Sequence, residues 1–271
     1  MPNYLLVEIQ NQCLITRQCI VRRKQCYWQS PQVFTCSVDL TFPTNLKENI
    51  LTQWDQAWRC AYKNAVMQVA VALPQSYLWE SQFSHPDQLT PQQCFTYVEY
   101  HMQQVMQEQN MVLAWDYMPV ANQPLAVLAI AQPVLQFFQQ LCHRHRCQLI
   151  LLTSEQYAIQ AWGQQQKASE CVIGQLSTTR LNLFYRTQSI IKHQQSVDID
   201  HPELVANVIE QFNNYTKPKQ AQWWISGEAS LIKRWIVRWR KQISGGDITA
   251  MINPPQSFIS QGLLIGLRNY D

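Results

Sequence analysis

The chain has 271 residues, long enough for one large domain or two small ones. Charged residues make up 14%, against about 25% in an average domain, and a net charge of +3 is too small to mark a nucleic-acid binder by itself. No glycine precedes Gly163, which excludes a Walker loop or a dinucleotide fingerprint from that stretch, because both need glycine to bring the backbone against a phosphate.

The opening residues, MPNYLLVEIQNQC, lack the basic start and long apolar run of a signal peptide. The most apolar stretch, Leu125 to Leu135, is broken by Gln132 and Pro133 and is too short to span a bilayer. These features predict a soluble, cytoplasmic protein. The nine cysteines are scattered and odd in number, as free, partly buried thiols would be.

In chain order, Asn3 to Ile9 and Cys13 to Val21 read as a hairpin, and Val33 to Leu40 as a third strand. Thr44 would cap a helix with Leu46, Ile50, Trp54, Trp58 and Ala61 on one face. Val66 to Leu73 is a buried strand that Pro74 ends. A segment of different character, Gln75 to Asn122, follows. Within it Thr90-Pro91-Gln92-Gln93 is a capping box opening a helix to about Gln109, and Met111 to Tyr117 is a strand. Alternation then resumes: Leu125–Ile130 as strand, Pro133–His145 as helix, Cys147–Leu152 as strand and Ser154–Trp162 as helix. The second half opens with three strands, Cys171–Leu176, Arg180–Tyr185 and Ser189–Lys192. A helix at Pro202–Tyr215, a strand at Gln222–Ile225, a helix at Glu228–Ile243 and a strand near Ile248–Ile252 complete the reading.

Three strands, a helix, a strand and a helix thus occur twice, with an insertion in the first copy. An ordinary doubly wound fold alternates one strand with one helix. The repeated order predicts an α/β protein of two ribonuclease-H-like lobes, the actin-like architecture. Residues 1–74 and 123–166 would form the first lobe, 75–122 an inserted subdomain and 167–271 the second lobe. A plain α/β domain with accidental similarity between its halves is the alternative.

Actin-like ATPases hold nucleotide phosphates between two hairpin turns that carry Asp-x-Gly, with a glycine pair near the adenosine. The matching positions here read Glu8-Ile9-Gln10, then Gly174-Gln175-Leu176 with Ser177-Thr178-Thr179, then Trp224-Ile225-Ser226-Gly227-Glu228. Only Glu8 supplies a carboxylate at the two turns, and Gln10 stands where glycine is usual. The resemblance therefore implies degenerate, vestigial nucleotide positions at Glu8, Gln10, Gly174, Leu176, Ser177, Thr178 and Gly227.

In detail the chain resembles the PilM-like proteins of type IV pilus assembly, including their ComA and HofM branches. Val69-Ala70-Val71-Ala72-Leu73-Pro74 is similar to the family's strand before its inserted subdomain, and Trp115-Asp116-Tyr117 to the strand closing it. Cys171 to Phe184 is similar to the second phosphate segment with Asp-x-Gly lost, and Gly262 to Arg268 to the closing Gly-Leu-Ala-Leu-Arg run. One departure is large: little chain separates the third strand from the helix holding Val205 to Phe212, where full-length PilM and FtsA proteins carry a further subdomain. The second lobe is thus truncated.

The resemblance implies a non-enzymatic cytoplasmic scaffold at the inner face of the inner membrane, in a pilus or competence DNA-uptake machine. It would dock on the cytoplasmic tail of a single-pass, PilN-like protein through Gln75–Asn122 and the adjoining lobe, and could self-associate. No cofactor is implied and no direct nucleic-acid contact is expected. The rivals are a degenerate ATP-binding switch, in which Glu8 alone would organise magnesium, and a DNA-binding protein of DNA uptake.

Cys142-His143-Arg144-His145-Arg146-Cys147 invites a metal reading, but its spacing fits no usual zinc arrangement and its arginines repel a cation. A basic helix end is the better reading. Leu231 to Ile243 is amphipathic, with Leu231, Trp235, Trp239 and Ile243 as an apolar stripe and Lys233, Arg234, Arg238, Arg240 and Lys241 elsewhere. It reads as a core-facing helix with a solvated basic side; an anionic lipid, an acidic partner and a nucleic acid are the functional alternatives. No Gly-x-Ser-x-Gly elbow occurs.

Overall fold

The computed structural model describes residues 3–10, 13–23, 25–35, 55, 67–74, 77–84, 89–118, 125–166, 170–176, 180–187, 190–216, 221–227, 229–240, 243, 248–251 and 257–270. The chain forms two compact units. One holds Pro2–Thr16 and Val33–Ser154; the other holds Arg17–Gln32 and Glu155–Asp271. Among the described residues no helix is long and apolar enough to cross a membrane.

The first unit begins with β1 (Asn3–Gln10) and the start of β2 (Cys13–Arg22). Along the chain β3 (Gln25–Trp28) follows in the other unit, and β4 (Gln32–Thr35) and β5 (Gln68–Leu73) bring the chain back to this one. Of the expected helix after Thr44 only Asp55 lies among the described residues, and it is helical. β6 (Leu78–Phe83), α1 (Pro91–Gln109), β7 (Leu113–Met118) and β8 (Leu125–Ala131) follow, then α2 (Gln132–Arg144) and β9 (Gln148–Ser154). One sheet has the order β3-β2-β1-β5-β9, with β4 also on β2. β1, β5 and β9 run parallel. Leu5, Val7 and Ile9 of β1 and Val69, Val71 and Leu73 of β5 pack on Val134, Phe137, Phe138 and Leu141 of α2. The i, i+3, i+4, i+7 spacing on α2 builds this face.

A second, three-stranded sheet has the order β6-β8-β7. Its central strand, β8, comes from residues 125–131 and so extends the sheet beyond the 75–122 segment. α1 covers one face, burying Cys94, Val98 and Met102 against Leu113, Leu125, Val127 and Ala129. Its capping box forms as read: Thr90 N–H donates to Gln93 Oε1 at 2.8 Å and Gln93 N–H to Thr90 Oγ1 at 3.3 Å. Asn110 closes the helix in the left-handed region at φ 48°.

The other unit holds α3 (Glu155–Gln165), β10 (Glu170–Leu176), β11 (Arg180–Thr187) and β12 (Ile190–Asp198). α4 (Pro202–Thr216), β13 (Gln222–Gly227), α5 (Ala229–Trp239), β14 (Ile248–Met251) and α6 (Phe258–Tyr270) complete it. Its sheet order is β12-β11-β10-β13-β14. β12 runs on to Asp198, well past Lys192, so only Ile199–His201 join it to α4. On one face Val172, Leu183, Trp223 and Ile225 pack on Val205, Ile209 and Phe212 of α4 and Ile232, Trp235 and Trp239 of α5.

Four elements differ from the sequence reading. β3 is only four residues long and alternates in burial but not in polarity, and β6 does not alternate. α6 carries Gly262 and Gly266, which weaken any helical reading, yet Gly262 is what its packing requires. A Cβ there would lie 1.7 Å from the Ala158 carbonyl oxygen, so α6 crosses α3 backbone to backbone. α5 also ends at Trp239 rather than Ile243. Ile243 keeps the i+4 spacing and stays buried, but it does so from a bend, its N–H reaching Trp239 O at 2.8 Å.

Candidate functional site

Two places offer functional groups: the strand ends singled out by sequence and the partly open face of the three-stranded sheet.

Glu8 lies near the end of β1, in register with Ala72 of β5. It is fully buried and engaged in interactions inside the protein. A buried carboxylate is kept by such partners rather than presented to an incoming ion. The backbone of Gln10 ends the same strand.

In the other sheet Gly174, Gln175 and Leu176 sit inside β10 rather than in a turn. Gly174 pairs with Leu183 and Ile225. A Cβ on it would lie 3.1 Å from Leu183 Cδ2 and 3.3 Å from Ile225 Cγ1, so glycine there serves close sheet packing. Gly227 pairs with Leu176, and a Cβ on it would lie 2.4 Å from the Leu176 carbonyl oxygen. Both glycines thus have structural reasons to be glycine. The structure brings Gly174, Leu176 and Gly227 together at the ends of two parallel strands; Ser177, Thr178 and Thr179, with Glu228, lie outside the described residues.

Beside them Gln175 and Ser226 are register partners and both are buried. Gln175 Oε1 and Ser226 Oγ find no hydrogen-bond partner among the described residues. Trp162 and Phe258 pack at 4.1 Å on this side of the sheet, with Trp162 against Trp224 at 5.2 Å.

The second face of the β6-β8-β7 sheet is different, and α2 covers only its Ile130 end. β8 reads LAVLAIA, apolar on both faces, so both faces call for cover. α1 takes one. On the other, Leu78, Ala114, Leu128 and Ile130 line a groove of about 150 Å³, bounded by Leu135 of α2 and Leu152 of β9. Leu128 is the register partner of Glu80 on β6 and of Asp116 on β7. Facing pairs share a side of a sheet, so the two carboxylates flank Leu128 on the groove face. Asp116 lines the groove and is exposed. Glu80 Oε1 is buried and has no hydrogen-bond partner among the described residues. An apolar floor with two carboxylates fits a chain segment bearing apolar side chains and a cation. Sequence reasoning marked Asp116 only as part of a closing strand and missed Glu80. The signal was present in β8, whose apolar residues alternate onto a face that α2 covers at its Ile130 end and leaves open around Leu128.

The Cys142–Cys147 segment makes a helix end, as read. Arg144 Nη1 lies 3.6 Å from Asp55 Oδ2, and His145 Nε2 lies 3.3 Å from Asp55 Oδ1. Burial, with Cys147 adding, pushes the Cys142 thiol up to about 12. Among the described residues no cluster of His, Cys, Asp and Glu is arranged to hold a metal ion.

The paired sheets with one strand order and the inserted third sheet define an actin-like fold, and solved structures bear this out. The chain is similar to one in a PilM-PilN type IV pilus biogenesis complex, at 11% identity and TM-score 0.67, covering 97% of this chain and 98% of that one. It is similar to a Bacteroides thetaiotaomicron protein described as having an actin-like ATPase fold and unknown function, at 12% identity and TM-score 0.55, covering 97% and 95%. It is also similar to the cytoplasmic domain of EpsL, an inner-membrane component of the Vibrio cholerae type II secretion system, at 8% identity and TM-score 0.54, covering 98% and 95%. No family model and no curated protein matches the sequence.

Proposed function

We infer that this chain is a non-enzymatic scaffold of a type IV pilus or competence DNA-uptake machine. In this reading it works at the inner face of the inner membrane. Its groove takes the cytoplasmic tail of a single-pass, PilN-like protein, and copies of the scaffold self-associate in the assembled platform. One observation carries the docking: the apolar groove on the β6-β8-β7 sheet, with Leu128 between the carboxylates of Glu80 and Asp116. The tail this groove would hold is extended, places apolar side chains on Leu78, Leu128 and Ile130, and sets a lysine or arginine between the two carboxylates. The full-length structural likeness to a chain of a PilM-PilN complex supports the choice of partner.

Affinity capture from gently solubilised membranes, comparing the natural protein with Leu128→Arg, tests it. A single-pass protein with a short cytoplasmic tail that is captured by the first and lost by the second supports the reading. Equal capture by both proteins, or none, overturns it.

A second reading, a degenerate ATP switch, rests on Gln175 Oε1 and Ser226 Oγ, two buried acceptors that a ligand's donors could meet. Against it, Glu8 is buried and engaged, and Gly174 and Gly227 are used by sheet packing. Titration with magnesium and ATP separates the readings: the scaffold shows no saturable binding, whereas the switch binds and loses affinity in Gln175→Ala. The DNA-uptake alternative in which this chain itself grips DNA has a plain signature, an affinity that falls steeply with salt.

A further inference from the structure

We propose that the outer face of α5 is a contact surface for anionic lipid headgroups. The apolar stripe of this helix is spent on the core: Ile232, Trp235, Ile236 and Trp239 are buried. What it leaves outside is Lys233, Arg234, Val237 and Arg238, with Arg240 in the turn that follows, all exposed. Between Ala229 and Gly246 the sequence holds five cations and no acidic residue, while the whole chain nets only +3. Even with the flanking Glu228 and Asp247 counted, the segment carries +3, equal to the net charge of the whole chain. Among the described residues none of Lys233, Arg234, Arg238 and Arg240 makes a salt bridge. Arg238 is held in place, its guanidinium 5.4 Å from the Trp235 ring centroid.

The chemistry favours a bilayer over the other polyanions. Trp235 is 4% exposed and Trp239 1%, so neither ring is free to stack on a base, the contact that carries single-strand binding. Val237, 61% exposed, sits among the cations. An apolar side chain gains nothing against a phosphate backbone but enters the boundary between headgroups and acyl chains, while flanking Lys and Arg stay with the phosphates. This surface is independent of the groove, because lipid contact can be read with no partner protein present.

The experiment is flotation of the full chain with vesicles of phosphatidylcholine alone or with about a third phosphatidylglycerol. The natural protein binds the anionic vesicles and not the neutral ones. Lys233→Gln/Arg234→Gln/Arg238→Gln loses this affinity on the order of 100-fold, at about fivefold per cation. The control Arg22→Gln/Arg23→Gln/Lys192→Gln, which removes three exposed cations elsewhere, keeps most of it. Val237→Ser weakens vesicle binding and leaves retention by duplex DNA unchanged. Failure of the natural protein to bind, equal binding to neutral vesicles, equal losses in the two triple variants, or a Val237→Ser variant that binds vesicles as well as the natural protein overturns the proposal. DNA retention as strong as vesicle binding and lost in the same helix variant assigns the face to nucleic acid instead.

Discussion

The two larger sheets repeat one strand order with different chemistry. In each, a first strand lies beside an antiparallel hairpin on one side and two successive parallel strands on the other: β3-β2-β1-β5-β9 in one and β12-β11-β10-β13-β14 in the other. At the corresponding parallel strand ends, β1 and β5 pair Glu8 with Ala72, whereas β10 and β13 pair Leu176 with Gly227. The first tolerates ordinary side chains and keeps a buried carboxylate; the second pair needs a glycine, and neither of its two residues is a carboxylate. The shared strand order goes with core packing on both sheets, while the described residues at the strand ends follow the local space around them.

Substitutions can sharpen or break this contrast. The largest effect belongs to Gly262→Ala, where a Cβ meets backbone 1.7 Å away; α6 must lift from α3, and thermal unfolding will register a loss of about 3 kcal/mol or more. Gly227→Ala follows, since a carbonyl at 2.4 Å must move, at about 2 kcal/mol. Glu8→Ala removes a buried, engaged carboxylate and will cost roughly 1–3 kcal/mol while leaving tail capture intact. Gly174→Ala meets only side chains, at 3.1 and 3.3 Å, and will cost about 1 kcal/mol. If Gly227→Ala were neutral to folding but altered nucleotide affinity, the packing account of the second sheet would fail.

The smallest effect is in pH. The Cys142 thiol is raised by burial from 9.0 to about 12. The unfolded chain therefore gives up this proton first, so the stabilising contribution is full below pH 9 and is lost as pH rises from about 9 toward 12. Denaturant midpoints across that window will fall in the natural protein and fall less in Cys142→Ala. At pH 8, alkylation of the folded chain will spare Cys142.

Much of the fold was legible because it rests on periodicity. The run at Val69–Leu73, the capping box at Thr90–Gln93 and the doubled strand order all write their structure locally. α6 was not legible because its glycines serve a partner helix that spacing does not reveal. The site was less legible still. Gly174 and Gly227 read from sequence as degenerate nucleotide positions, and their packing role shows only with the carbonyl and side chains beside them. Glu80 gains meaning only through its register with Leu128 and Asp116, a relation across three strands and some 36 residues of sequence from Glu80 to Asp116.

The central claim is that function lies in the groove and not at the strand ends. Its most direct test is a titration of the captured protein's tail, as a synthetic peptide, against the natural chain and Glu80→Gln/Asp116→Asn over a range of salt. The account predicts an affinity at least about tenfold weaker in the variant, with a flatter salt dependence and no response to magnesium and ATP in either protein. Equal affinities for the two proteins, or a tail affinity that appears only with nucleotide, would contradict it.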